Sequence, residues 1–158
     1  VFMLQACDDG DITLESFNFD TATIQNCTDN NLVFKINDRE LLLLSIPESS
    51  FLNEETPDGS PRIINVGTTN QIIYRLYSGN VSSATICSTL PPASPVVEKE
   101  WNASGGTIEI ITDALYDVDG ITINGYTHNI KFKNVNFSNP DNSFSFTEYI
   151  FGNYETDL

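Results

Sequence analysis

Between Val96 and Asp113 the chain reads VVEKEWNASGGTIEIITD, and apolar and polar residues alternate along most of it. A two-residue period is what a β-strand with one dry face requires, because successive side chains leave opposite faces. The same period recurs through the chain, whereas helical spacing is nearly absent. ITLESFNF, LVFKI, ELLLLSI, RIINV, NQIIYRLYSG, GITING, YTHNIKFKNVNF and SFSFTEYIF are bounded by Gly, Pro, Asn or Asp, the residues that end strands. Roughly eight to ten short strands at this spacing predict an all-β fold, a single antiparallel β-sandwich or small barrel. At most a short helical turn is expected near 48–56. No repeat or internal linker divides the chain, so 12–158 reads as one domain.

The pattern also predicts details. A turn at Gly105-Gly106 makes 96–113 a hairpin, with Trp101 opposite Ile110 and Ala103 opposite Ile108. Val97, Trp101, Ile108 and Ile110 then share the dry face, and Glu98, Glu100, Asn102 and Glu109 the wet one. Val96 and Ile111 are exceptions on the wet side. Alternation slips by one residue before Phe17, between Phe132 and Val135, and between Phe146 and Tyr149, as β-bulges produce. Asn37-Asp38-Arg39 reads as a second hairpin turn. Tyr74 and Tyr77 lie three apart and should face opposite sides of their strand. Pro47 to Pro61 reads as a long loop, and Pro91 to Pro95 as a stiff crossover.

Charge narrows the partners. The chain has 158 residues and a net charge of −15, with no Lys or Arg before Lys35. A field of that sign repels phosphate backbones and anionic lipid, so neither nucleic acid nor a basic membrane-binding patch is expected. Apolar residues make up 40% of the chain, enough to build a core. No apolar run approaches the roughly 20 residues of a spanning helix.

The three cysteines point to a compartment. Leu4-Gln5-Ala6-Cys7 resembles the lipobox of bacterial lipoproteins: an aliphatic residue, a tolerant position, a small residue, then the cysteine that carries diacylglycerol. VFMLQA looks like the tail of a hydrophobic signal segment. Residues 1–6 would then be its remnant and 7–11 an acidic tether. The alternative is a chance cysteine. Several acyl chains on Cys7 would anchor firmly, since each buried methylene contributes about 0.8 kcal/mol. Cys27 and Cys87 remain as an even pair for a disulfide in an oxidising compartment, with stabilisation of about 4 kcal/mol. Two buried free thiols are the alternative.

Asp8, Asp9 and Asp11 follow the anchor. Among enterobacterial lipoproteins such acids retain the protein at the inner membrane. In Bacteroidetes they look like a surface-export signal. ICSTLPPASPVVEKEW and SGGTIEIITDALYDVDG resemble small uncharacterised surface lipoproteins of flavobacteria (Bacteroidetes), although no lysine closely follows Cys7 as in the best-known tether of that group. The resemblance implies an outer-membrane lipid anchor facing the cell exterior, with the periplasmic face as the alternative. It also makes Thr21, in Asp20-Thr21-Ala22, a candidate for O-glycosylation.

A catalytic set is not evident. His128 is the sole histidine. No His pair suits a zincin, no Gly-x-Ser-x-Gly elbow accompanies it, and an ordinary strand histidine is expected. Glu54/Glu55, Glu98/Glu100 and Asp117/Asp119 resemble glycosidase dyads in spacing alone. Asp113, Asp117 and Asp119 before Gly120 are a weak candidate for Ca²⁺. EF-hand spacing fails there, because Leu115 occupies the first ligand position and Tyr126 the closing one. An acidic turn is the alternative. No other cofactor is indicated. Tyr116 and Tyr126, bracketing that loop, are the candidate binding aromatics, and Trp101 is expected in the core.

These features favour a non-catalytic surface module that binds a partner protein or a polysaccharide, with Phe51 and Leu52 as candidate interface anchors. A carboxylate-dependent glycoside hydrolase and a ligand-free structural spacer are the alternatives.

Overall fold

The computed structural model describes residues 17–158. Cys7, the acidic tether, Ile12 and Leu14 lie outside the described residues. Nine strands form one open antiparallel sheet: β1 (Gln25–Asn26), β2 (Leu32–Asn37), β3 (Glu40–Ser45), β4 (Arg62–Asn65), β5 (Gln71–Tyr77), β6 (Val97–Ser104), β7 (Thr107–Tyr116), β8 (Ile123–Ser138) and β9 (Ser143–Asp157). The order is β1-β2-β3-β5-β6-β8-β7-β4, with β9 paired to β8. The fold is therefore all-β. A 3-10 turn at Glu48–Phe51 falls where a helical turn is expected, and a five-residue helix α1 spans Ser83–Cys87.

The predicted hairpin at Gly105-Gly106 does not form. β6 and β7 are not paired with each other. They run on in line along one edge of β8: Ser104 pairs Asn136, and Thr107 pairs Lys133. The glycines (φ 68° and 74°) mark a corner in one long strand. Before the corner its other edge pairs β5, and after it β4. Asn134 of β8, opposite the corner, has φ 54°, and the predicted slip between Phe132 and Val135 falls there. The predicted shift between Phe146 and Tyr149 on β9 crosses the same line, since Lys133 pairs Glu148 and Val135 pairs Phe146. One fold line therefore crosses three strands, and each loses one residue of alternation at it.

Face assignments survive the wrong turn, because the corner shifts parity by one residue as the supposed turn does. Trp101, Ile108 and Ile110 are buried, whereas Val97 is 43% exposed and not part of the dry face. Asp38-Arg39 does turn between β2 and β3, with Asn37 opposite Glu40.

Folding along this line brings both ends of the sheet onto one core. Val33, Leu42, Leu44, Ile72 and Tyr74 from one half meet Ile108, Ile130, Phe132 and Phe151 from the other. Phe17 lies between them, with its ring centroid 4.8 Å from Tyr74 and 5.4 Å from Tyr149. Lys35 of β2 reaches across to β9. Its Nζ donates to Phe19 O at 3.3 Å and sits 5.6 Å from the centre of the Phe151 ring. Burial lowers the Lys35 pKa, with Asp20 pulling the other way.

β3 explains its own sequence. Leu41 to Leu44 are all buried because both faces of the strand are covered. Leu42 and Leu44 face the main core. Leu41 and Leu43 join Phe34, Ile73, Tyr77 and Val81 in a second cluster, flanked by Ile86 and Cys87 of α1. Tyr74 and Tyr77 do take opposite sides. Cys27 and Cys87 form a disulfide that ties α1 to the end of β1 across 60 residues.

Candidate functional site

At one end of the sheet the β1–β2 turn, the 3-10 turn and the C-terminal part of β9 line an open cleft of about 440 Å³. Asn26 to Val33 form one wall, Glu48 and Phe51 the other, and Tyr154 projects from β9. Each wall is tied down. The first is fixed by the Cys27 disulfide, by Cys27 N donating to Leu32 O at 3.1 Å, and by Leu32 N donating to Asn30 Oδ1 at 3.0 Å. In the second, Phe51 packs edge-on against Tyr154, with centroids 5.0 Å apart. Just beyond it, Asn53 Nδ2 donates to Asp157 O at 2.9 Å. Burial, with the Glu48 charge, pushes the Tyr154 phenol pKa up, so its hydroxyl stays protonated.

Behind the cleft lies His128, fully buried in β8 with Phe51 edge-on to its ring. Its hydrogen bonds run in one direction. Arg62 Nη1 donates to Thr112 Oγ1 at 2.7 Å. The Thr112 hydroxyl also lies 2.7 Å from His128 Nδ1. Thr156 Oγ1 spends its one proton on Asn53 and therefore accepts from His128 Nε2–H at 3.0 Å, which assigns the neutral ring as the Nε2–H tautomer with Nδ1 accepting from the Thr112 hydroxyl. Thr156 Oγ1 in turn donates to Asn53 Oδ1 at 2.7 Å. The loop 47–61 is thus laced to β7 and β9 through a neutral imidazole. Thr56 adds to it, giving N–H to Thr112 O at 3.0 Å and accepting from Thr112 N at 3.1 Å.

Burial, with the Arg62 charge, lowers the His128 pKa from 6.5 to about 4. The unfolded chain binds this proton below about pH 6.5, and the folded chain only near pH 4, so stability is lost as pH falls through that window. The expected loss is roughly 1 kcal/mol by about pH 5.5 and about 3 kcal/mol by about pH 4. Urea unfolding between about pH 7 and pH 5.5, above the carboxylate range, should show this slope in the wild type and lose it in His128→Gln. Equal slopes in the two proteins would mean that the imidazole is not held neutral.

The residues singled out in the sequence fall elsewhere. Tyr116 is 50% exposed near the tip of the β7–β8 hairpin, and Tyr126 is half-buried opposite Ala114. Neither makes a ring contact among the described residues. Asp113 lies on β7 opposite Thr127. Asp119 organises the turn: Oδ1 accepts from the Ile121 and Thr122 amides and Oδ2 from the Thr122 hydroxyl, which lowers its pKa to about 2. Asp117 Oδ1 accepts from Asn124 Nδ2 at 3.0 Å. Among the described residues no three His, Cys, Asp or Glu side chains are grouped to hold a metal. Glu98 and Glu100 are ion-paired with Arg39 and Arg75 at 2.8 and 2.6 Å. Glu55 accepts from Ala114 N at 3.3 Å, and Glu54 contributes its backbone carbonyl to Arg62 at 2.5 Å. Thr21 is exposed in a turn, and Trp101 is in the core, giving its Nε1–H to Asn142 Oδ1 at 2.7 Å.

Tyr154 and the amides of the β1–β2 turn were not singled out by sequence. A run such as CTDNNL advertises only a turn, and Tyr154 alternates with exposed residues like any strand aromatic. No protein-family model, curated protein or solved structure matches this chain.

Proposed function

We propose that this chain is a lipid-anchored outer-membrane module that binds a partner protein or a polysaccharide at the cell surface and performs no catalysis. One observation carries the reading. Cys27 and Cys87 are bonded to each other, which leaves Cys7, within Leu4-Gln5-Ala6-Cys7, as the odd cysteine. A disulfide suits an exported protein, and an odd cysteine behind a small residue suits lipidation. The cleft supports the binding part of the proposal, because clefts of a few hundred Å³ with convergent polar groups are the usual shape of ligand sites.

Native protein should fractionate with membranes, and Cys7→Ser should release it to the soluble fraction. Intact-mass measurement should find acyl chains on Cys7, and protease treatment of whole cells should remove the domain. Extraction in mild detergent should bring down a stoichiometric partner, or the purified protein should bind a glycan. An unacylated Cys7 defeats the anchor. Loss of both the partner and any glycan binding favours a passive spacer.

A further inference from the structure

The cleft is specific enough to name a ligand class, an inference that rests on the binding-module reading. We propose that it binds an uncharged oligosaccharide, with Tyr154 as the stacking ring and Asn26, Asn31, Asp29 and Glu48 as hydrogen-bond partners for sugar hydroxyls.

Size is the first argument. About 440 Å³ lies within the usual range for small-molecule sites, roughly 300–1,000 Å³, and suits one or two sugar rings. Lining chemistry is the second. A sugar offers hydroxyls that both donate and accept, and side-chain amides do the same. Asn26, Asn31, Asp29 and Glu48 make no side-chain hydrogen bond or ion pair among the described residues, so none of their capacity is spent within 17–158. Asn30 differs, because its Oδ1 is committed to Leu32 N. Tyr154 lines the cleft with a half-buried ring that Phe51 meets edge-on, and an aromatic ring with a hydroxyl at its tip suits a sugar's C–H faces and polar edges.

Rigidity is the third argument. The disulfide and the turn hydrogen bonds hold one wall, and the Asn53 bonds to β9 brace the other. Walls held before binding lose little entropy when a ligand arrives. Charge decides the subclass. Asp29 and Glu48 line the cleft, and no Lys, Arg or His does. With a net charge of −15 behind them, an acidic glycan is repelled.

The test uses the full chain and amide NMR, titrating maltose, cellobiose, xylobiose, mannobiose and N,N′-diacetylchitobiose, with digalacturonate and trilysine as charged probes. At least one neutral disaccharide should shift the amides of Asn26 to Val33, Glu48 to Phe51 and Tyr154. Tyr154→Ala should weaken that binding at least about tenfold, the size of one lost packed or hydrogen-bonded contact. Glu48→Gln and Asn31→Ala, at exposed positions that leave folding untouched, should weaken it several-fold. Tyr126→Ala should leave it unchanged. The assignment is overturned if none of the neutral disaccharides binds, if only trilysine or digalacturonate does, or if the shifts centre on Tyr116 and Tyr126. A copurified protein partner with no sugar binding defeats this site and leaves the binding-module reading standing. Absence of both defeats the two together.

Discussion

Replacing Cys27 and Cys87 by serine should lower the unfolding free energy by about 4 kcal/mol, and the melting temperature by roughly 8–16 °C for a domain of this size. The bond spans 60 residues, so cutting it frees a long loop in the unfolded chain. Its native side matters as well. Helix α1 has five residues and no side-chain cap, far too short to persist alone. Its contact with the second cluster, the covalent bond and the hydrogen bond from Val81 N to Asp38 O just before it hold it over Leu41, Leu43 and Phe34. The serine variant should therefore expose that cluster first while the main core persists. Urea unfolding of the variant against the oxidised parent measures the loss. A loss under about 1 kcal/mol would mean that α1 docks without its tether. The cleft would feel the change too, because the wall from Asn26 to Leu32 hangs from Cys27.

Gly106→Ala should cost about 4 kcal/mol, near the upper end for single substitutions. A Cβ at Gly106 would stand 2.2 Å from Lys133 O and 2.5 Å from Asn134 O. Both are backbone atoms of β8, which is held between β7 and β9, so neither can retreat without moving the sheet. The residue also has φ 74°, which disfavours any side chain. Gly105 provides the control. Its φ is 68°, but nothing lies within 4 Å of the added carbon, so Gly105→Ala should cost only about 1 kcal/mol, the left-handed penalty alone. In a two-residue hairpin turn both glycines would project into solvent and the two substitutions would cost alike. Equal losses in urea titrations would thus argue for the hairpin and against the corner.

The His128 chain shows what cannot be read locally. Alternation puts His128 on the same face as Ile130 and Phe132, but nothing local says that the ring is sealed from water. It becomes buried because Phe51 and the loop after Pro47 close over it, and the loop stays because Arg62, Thr112, Thr156 and Asn53 pass hydrogen bonds through the ring. These residues come from four separate segments. The candidate site has the same character: Asn26, Glu48 and Tyr154 are brought together from three parts of the chain.

What the sequence determined by itself was local and periodic. Alternation assigned the strands, put Trp101, Ile108 and Ile110 on the dry face, and located the slips before Val135 and Tyr149. The Asn37-Asp38-Arg39 turn was legible for the same reason, since it depends on residues a few positions apart, whereas ELLLLSI read only as a strand and its burial on both faces came from the two clusters that cover it. Only the tertiary structure decided which strands pair, that Gly105-Gly106 bends a strand where a reversal was expected, and that Tyr154 faces a cleft while Tyr116 stands at a hairpin tip. Two glycines with positive φ permit either a corner or a turn, and the unpaired edge of β8 selects the corner. That edge is formed by residues about thirty positions further along the chain, beyond the reach of any local pattern.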